Sequence, residues 1–115
     1  MLTNARNGAV LASELRVAMT AAARRRGLLG LDILPAGAGL ILAPCISVHT
    51  WFMRFPIDVV FSANDGRVIK IYRTMPAWRL AAALSAFAAI ELPAGTAAAT
   101  ETRAGDVLVV APARL

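Results

Sequence analysis

Ile57-Asp58-Val59-Val60-Phe61-Ser62-Ala63, then Asn64-Asp65-Gly66, then Arg67-Val68-Ile69-Lys70-Ile71-Tyr72-Arg73-Thr74 is the stretch that decides the fold class. Two runs rich in β-branched and aromatic residues flank an Asp-Gly turn, a strong short-range cue for a β-hairpin. In the second run Val68, Lys70 and Tyr72 share one face, and Ile69, Ile71 and Arg73 share the other. An antiparallel pair is expected here.

Outward from the hairpin, most of the chain reads as short strands. Ile46 to Met53 is β-branched and aromatic, Leu40 to Ala43 is a short apolar strand halted by Pro44, and Val10 to Val17 is close to alternating. Val107 to Val110 reads as a final buried strand. Thr20 is an N-cap for a short helix over Ala21 to Arg26, which Gly27 ends, with three arginines in the last turn complementing the helix dipole. Leu80 to Ile90 is ambiguous, because alanine favours helix while Leu84, Ala86, Ala88, Ile90 and Leu92 alternate. Ala86 to Leu92 is expected as a strand, Leu80 to Leu84 as a helical turn or loop, and Thr96 to Thr102 as a short helix. Many short strands with one or two small helices indicate a mainly β sandwich or barrel.

Composition narrows the function classes. The 115 residues suit one domain, with residues 1–9 expected to be loose and residues 10–112 to form a single β domain. Hydrophobic residues at 58% and charged ones at 17% exclude intrinsic disorder. A single cysteine excludes an internal disulfide and a multi-cysteine zinc site. The net charge of +5 sets eleven arginines and one lysine against seven acidic residues, and the basic ones are scattered except for Arg24-Arg25-Arg26, so a nucleic-acid partner is disfavoured. The charge-free stretch Ile33 to Met53 holds two prolines and two glycines and is poor material for a transmembrane helix. With no secretory signal visible at the start, a soluble, cytoplasmic protein is expected.

An ordered series of motifs then stands out. Arg24-x-Arg26-Gly27-Leu28-Leu29 is followed by Gly39-Leu40, then Met53-Arg54-Phe55-Pro56-Ile57-Asp58-Val59-Val60-Phe61. Asp65-Gly66-Arg67-Val68, Met75-Pro76, Glu91-Leu92-Pro93-Ala94-Gly95 and Gly105-Asp106 complete it. This series resembles the prokaryotic family called domain of unknown function one-ninety-two, over about Ala12 to Val110. Leu29 and Leu40 stand where that family usually has Met. The resemblance implies a small single-domain β-sandwich, jelly-roll-like, and implies no activity, cofactor or catalytic residue.

Two constellations could carry chemistry. Cys45, His49 and Met53 are spaced four apart and offer soft ligands that suit copper, so Cys45 and His49 are candidate metal or thiol-site residues. On an extended strand the outer two would lie about 26 Å apart, at about 3.3 Å per residue, which favours ordinary strand packing. The second group is Arg54, Asp58, Arg73 and Glu91. Asp58 and Glu91 sit inside apolar runs, where a carboxylate needs a partner. They are expected to pair with arginine or backbone N–H groups, or to grip a small ligand at one end of the sheet. Trp51, Phe52, Trp78 and Phe87 read as core pieces. The reading is a binding or accessory β domain without a cofactor, its partner a small ligand or a protein. The alternative is a thiol- or soft-metal-dependent site at Cys45 and His49.

Overall fold

The computed structural model describes residues 1–111. Along them run β1 (Leu2–Asn4), β2 (Val10–Ala12), β3 (Glu14–Ala18), α1 (Ala21–Arg26), β4 (Ala38–Leu42) and β5 (Ser47–His49). Then come β6 (Ile57–Ser62), β7 (Val68–Met75), β8 (Leu80–Ala82), β9 (Ala88–Pro93), α2 (Thr96–Ala99) and β10 (Leu108–Val110). The fold is mainly β with two short helices, as expected. The expected domain end at position 112 lies outside the described residues.

The hairpin forms as an antiparallel β6–β7 pair. Its turn is held by Asp65, whose Oδ1 accepts the Arg67 N–H at 3.0 Å, while Gly66 takes φ +89°. Gly66 is needed for space as well as for φ. A Cβ there would lie 2.3 Å from the Leu108 carbonyl oxygen, because β10 runs directly beneath the turn.

β6 is also paired with β9, and the five-stranded sheet runs β3-β4-β9-β6-β7, with β3 and β4 parallel. Every residue of β6 is buried, so this sheet is covered on both faces. On one face Ile57, Val59, Phe61, Leu40 and Leu42 pack against Val48 and Ala81 of the two-stranded β5–β8 sheet and against Leu28. On the other, Val60, Val68, Ile90 and Leu92 pack against Leu2, Leu11 and Leu108 of the β10-β1-β2 sheet. The sandwich therefore has a layer on each side of the central sheet.

Four local readings differ from expectation. Residues 1–9 are not loose at their start: Leu2 and Asn4 are buried in β1, between β10 and β2. Asn4 donates to Asp106 Oδ2 at 2.9 Å and Arg6 Nε pairs with Asp106 Oδ1 at 2.8 Å, a tether across about a hundred residues that local sequence does not show. The Val10–Val17 run breaks at Ser13 into β2 and β3, which join different sheets. Leu80 to Ala82 is a strand, because β5 supplies a partner and Ala81 is buried between the sheets. Finally, β10 is an edge strand with Leu108 buried and Val109 and Val110 exposed.

Helix α1 matches its reading. Thr20 Oγ1 accepts the Ala23 N–H at 3.1 Å, and Gly27 closes the helix with its N–H on the Ala23 carbonyl.

Candidate functional site

Register decides the fate of the two embedded carboxylates. Asp58 lies opposite Leu92, and its neighbour Val59 lies opposite Glu91. Directly opposed residues share a face and successive residues alternate, so Asp58 and Glu91 point to opposite sides of the sheet. They cannot act together on one substrate.

Asp58 is fully buried and wholly occupied by backbone. Its Oδ1 accepts N–H groups of Thr74 at 2.8 Å and Gly95 at 3.2 Å, and its Oδ2 accepts Ala97 N–H at 2.8 Å. It thus caps α2 from a distant strand and fixes the end of β7, the backbone partnership expected for it. Arg73 donates to the Thr102 carbonyl at 3.0 Å, and Arg54 forms an exposed ion pair with Asp32. The expected cluster of Arg54, Asp58, Arg73 and Glu91 does not assemble, because each of the first three is engaged elsewhere.

Glu91 is the exception. Only 4% of it is exposed, and no hydrogen bond reaches its carboxylate among the described residues, against the expectation that it would be paired. Burial pushes its carboxyl up to about 7. It lies on the floor of a cleft of about 340 Å³ between α1 and the β4–β5 segment. Gly27 lies against it, a Cβ there falling at ordinary contact distance, 3.6 Å from Glu91 Oε1, so it is the backbone φ of +46° that favours glycine here.

The same cleft gathers Cys45, His49 and Met53. The expected strand through Met53 stops at His49, because Thr50 starts a turn in which Phe52 adopts φ 65° and the Met53 N–H bonds the Thr50 carbonyl at 3.1 Å. The chain folds back, and the extended-strand spacing that separated these residues no longer applies. Convergence is loose, however. Cys45 Sγ donates to the Ser47 carbonyl at 3.1 Å, burial pushes its thiol up, and the exposed His49 ring stacks on Trp51 at 4.6 Å. Among the described residues no three His, Cys, Asp or Glu side chains are placed to hold a metal ion.

Arg24, Arg25 and Arg26 form the helical wall, with Leu28, Leu42 and Val48 as the apolar lining and Ser47 at the edge. Composition alone presents that arginine triplet as a solvated helix end; its place over a buried carboxylate is a tertiary fact. A larger hollow of about 740 Å³, lined by Leu15, Leu28, Leu31 and Leu34, has no comparable buried polar group and borders Ala111, next to the residues not described.

The profile of the family domain of unknown function 192, described as "Uncharacterized ACR", matches residues 2–110. The chain belongs to this family. Two solved structures share the fold of this DUF192 domain. One is a protein of unknown function from Novosphingobium aromaticivorans, 23% identical, with TM-score 0.76 over 84% of this chain and 74% of that one. The other is from Sinorhizobium meliloti, 20% identical, with TM-score 0.77 over 83% of this chain and 79% of that one, and is described as a conjectural transcription regulator. No curated protein matches the DUF192 chain significantly. No helix of the described residues is long and apolar enough to cross a membrane.

Proposed function

We propose that this DUF192 domain binds a small polar molecule, and that its site is the cleft floored by Glu91. One observation carries the reading: the carboxylate of a residue only 4% exposed lines a cleft and has no hydrogen-bond partner among the described residues. Its oxygens are not sealed in but open to the cleft, where they are poorly hydrated, and a donor bound there supplies the hydrogen bonds that the protein does not. The molecule would present an N–H or O–H to Glu91 and lay apolar surface against Leu28, Leu42 and Val48. Its acceptor or anionic groups would meet Ser47 and the arginines of α1.

Native mass spectrometry of freshly purified protein tests this, together with thermal-shift measurements against a panel of polyols, amines and amino acids. Expected is a retained or added small molecule that raises the melting temperature of the wild type. Ser47→Trp, which fills the cleft from its exposed edge, should lose it. Absence of both a retained mass and a thermal shift would overturn the reading, as would a shift that Ser47→Trp leaves intact.

A further inference from the structure

Beside the cleft, the chain spends backbone strain to keep aromatic side chains out of its core. Trp51, Phe52, Trp78 and Leu80 are 46%, 70%, 57% and 65% exposed, although core pieces were expected at the aromatic positions. Phe52 and Trp78 have φ of 65° and 66°, in the left-handed region that bulky residues avoid. Their rings meet edge to face with centroids 4.8 Å apart.

The two loops that carry them are rigidly joined. Thr50 is fully buried and uses every polar group it has. Its N–H donates to the Arg79 carbonyl at 2.9 Å, and its Oγ1 donates to the Pro76 carbonyl at 2.6 Å and accepts the Arg79 N–H at 2.9 Å. Its carbonyl accepts the N–H groups of Trp78 and Met53, both at 3.1 Å. Leu80 stands opposite His49 across the β5–β8 pair, so it extends the same surface.

Charge at this end is one-sided. Arg54 and Arg79 lie exposed in the two loops, and Arg24 to Arg26 line the neighbouring cleft together with His49 and Met53. Of the seven acidic residues, Asp58, Glu91 and Asp106 are buried, Asp65 is in the β6–β7 turn and Glu14 begins β3. Glu101 neighbours Arg6 in the N-terminal tether, which leaves Asp32, paired with Arg54, as the exposed acid beside the patch.

We propose that this aromatic tip docks on an anionic lipid surface, with Phe52, Trp78 and Leu80 entering the interface and the arginines facing phosphate headgroups. Tryptophan suits that boundary, having an apolar body and a polar N–H, and a basic patch beside an apolar anchor supplies the two signals that stable attachment needs. The alternative of stacking on single-stranded nucleic acid fits less well. Trp51 already has His49 on one face, Phe52 and Trp78 are turned edge to face, and an exposed leucine contributes nothing to base stacking.

Both tryptophans of the chain lie in the patch, so intrinsic fluorescence reports on it directly. Full-length protein should sediment with vesicles of equal parts phosphatidylglycerol and phosphatidylcholine, with emission moving to shorter wavelength. Pure phosphatidylcholine should bind at least about twenty-five-fold more weakly, since each arginine near an anionic surface contributes about fivefold and two suffice for that difference. Phe52→Gly and Trp78→Gly place glycine where φ is already positive, so they leave the fold intact, and together they should lower vesicle binding by about a hundredfold, at roughly tenfold for each large apolar group withdrawn. Undiminished binding by the folded double variant overturns the proposal. So does failure to bind the anionic vesicles, including the case where an oligo(dT) probe quenches the tryptophans and vesicles do not.

Discussion

Replacing Glu91 by Gln should reveal a pH-dependent cost that the wild type carries. In the unfolded chain the carboxyl releases its proton near its ordinary 4.5, and in the folded protein burial holds that proton up to about 7. The gap corresponds, at about 1.4 kcal/mol for each pH unit, to about 3 kcal/mol. Below about pH 4.5 both states are protonated, so the group adds no penalty there. As pH rises from 4.5 towards 7 the unfolded state loses its proton first, stability falls, and the loss levels off above the folded value. Glutamine cannot ionise. Relative to the wild type, Glu91→Gln should therefore gain about 3 kcal/mol between about pH 4 and pH 8, most of it appearing between pH 5 and 7. Urea denaturation across that range measures it. Asp106, whose carboxyl Arg6 and Asn4 hold below its usual range, makes both proteins less stable in acid and cancels in the comparison. Parallel curves, with a difference constant to within about 0.5 kcal/mol, would refute the idea of a desolvated carboxyl on the cleft floor.

Three other outcomes follow from the geometry. Asp58→Ala removes the shared acceptor of three backbone N–H groups, that of Ala97 buried and those of Thr74 and Gly95 part-buried, and should destabilise the domain by about 3 kcal/mol in urea denaturation. Gly66→Ala forces a Cβ against the Leu108 carbonyl at positive φ and should cost about 2 kcal/mol or more, seen as a lower urea midpoint. Cys45, half-buried with its thiol raised by burial, should react with Ellman's reagent about tenfold or more slowly at neutral pH than in denaturant. Equal rates in the two conditions would contradict that packing.

The hairpin was legible because turn chemistry and strand composition agree over one contiguous stretch, and Asp65 and Gly66 do what their types do in turns. The capped helix at Thr20 was legible for the same reason. What escaped is long-range. Nothing local says that Leu2 finds a place beneath Val60 and Ile90, or that β3 runs parallel to β4. Asp58 and Glu91 could be recognised as embedded carboxylates, yet whether they share a face depends on the β6–β9 register, and a slip of one residue would set them opposite each other on the same face. The meeting of Cys45, His49 and Met53 was hidden by Phe52, whose positive φ has no sequence signature in an aromatic residue. Even the exposure of Trp51 and Trp78 runs against composition, since it depends on Thr50 bonding two loops more than twenty residues apart.

The contrast between the two carboxylates also gives binding a pH sign. Asp58 has its oxygens matched by three backbone donors and holds the fold together; Glu91 has no donor among the described residues and opens onto the cleft. A donor arriving in the cleft does for Glu91 what Thr74, Gly95 and Ala97 do for Asp58, and so it favours the ionised form. Occupancy must then lower the Glu91 pKa, and by linkage a cationic amine that binds there must bind more tightly as pH rises through about 7. The affinity of any amine found in the thermal-shift panel, measured by calorimetry at about pH 5.5 and pH 8, should rise by about tenfold for each pH unit below the folded value and then flatten, provided the amine itself stays charged. Glu91→Gln should bind it weakly and without that slope. An amine that binds equally well at both pH values would be held by the arginine wall or the apolar lining, and Glu91 would not be its acceptor.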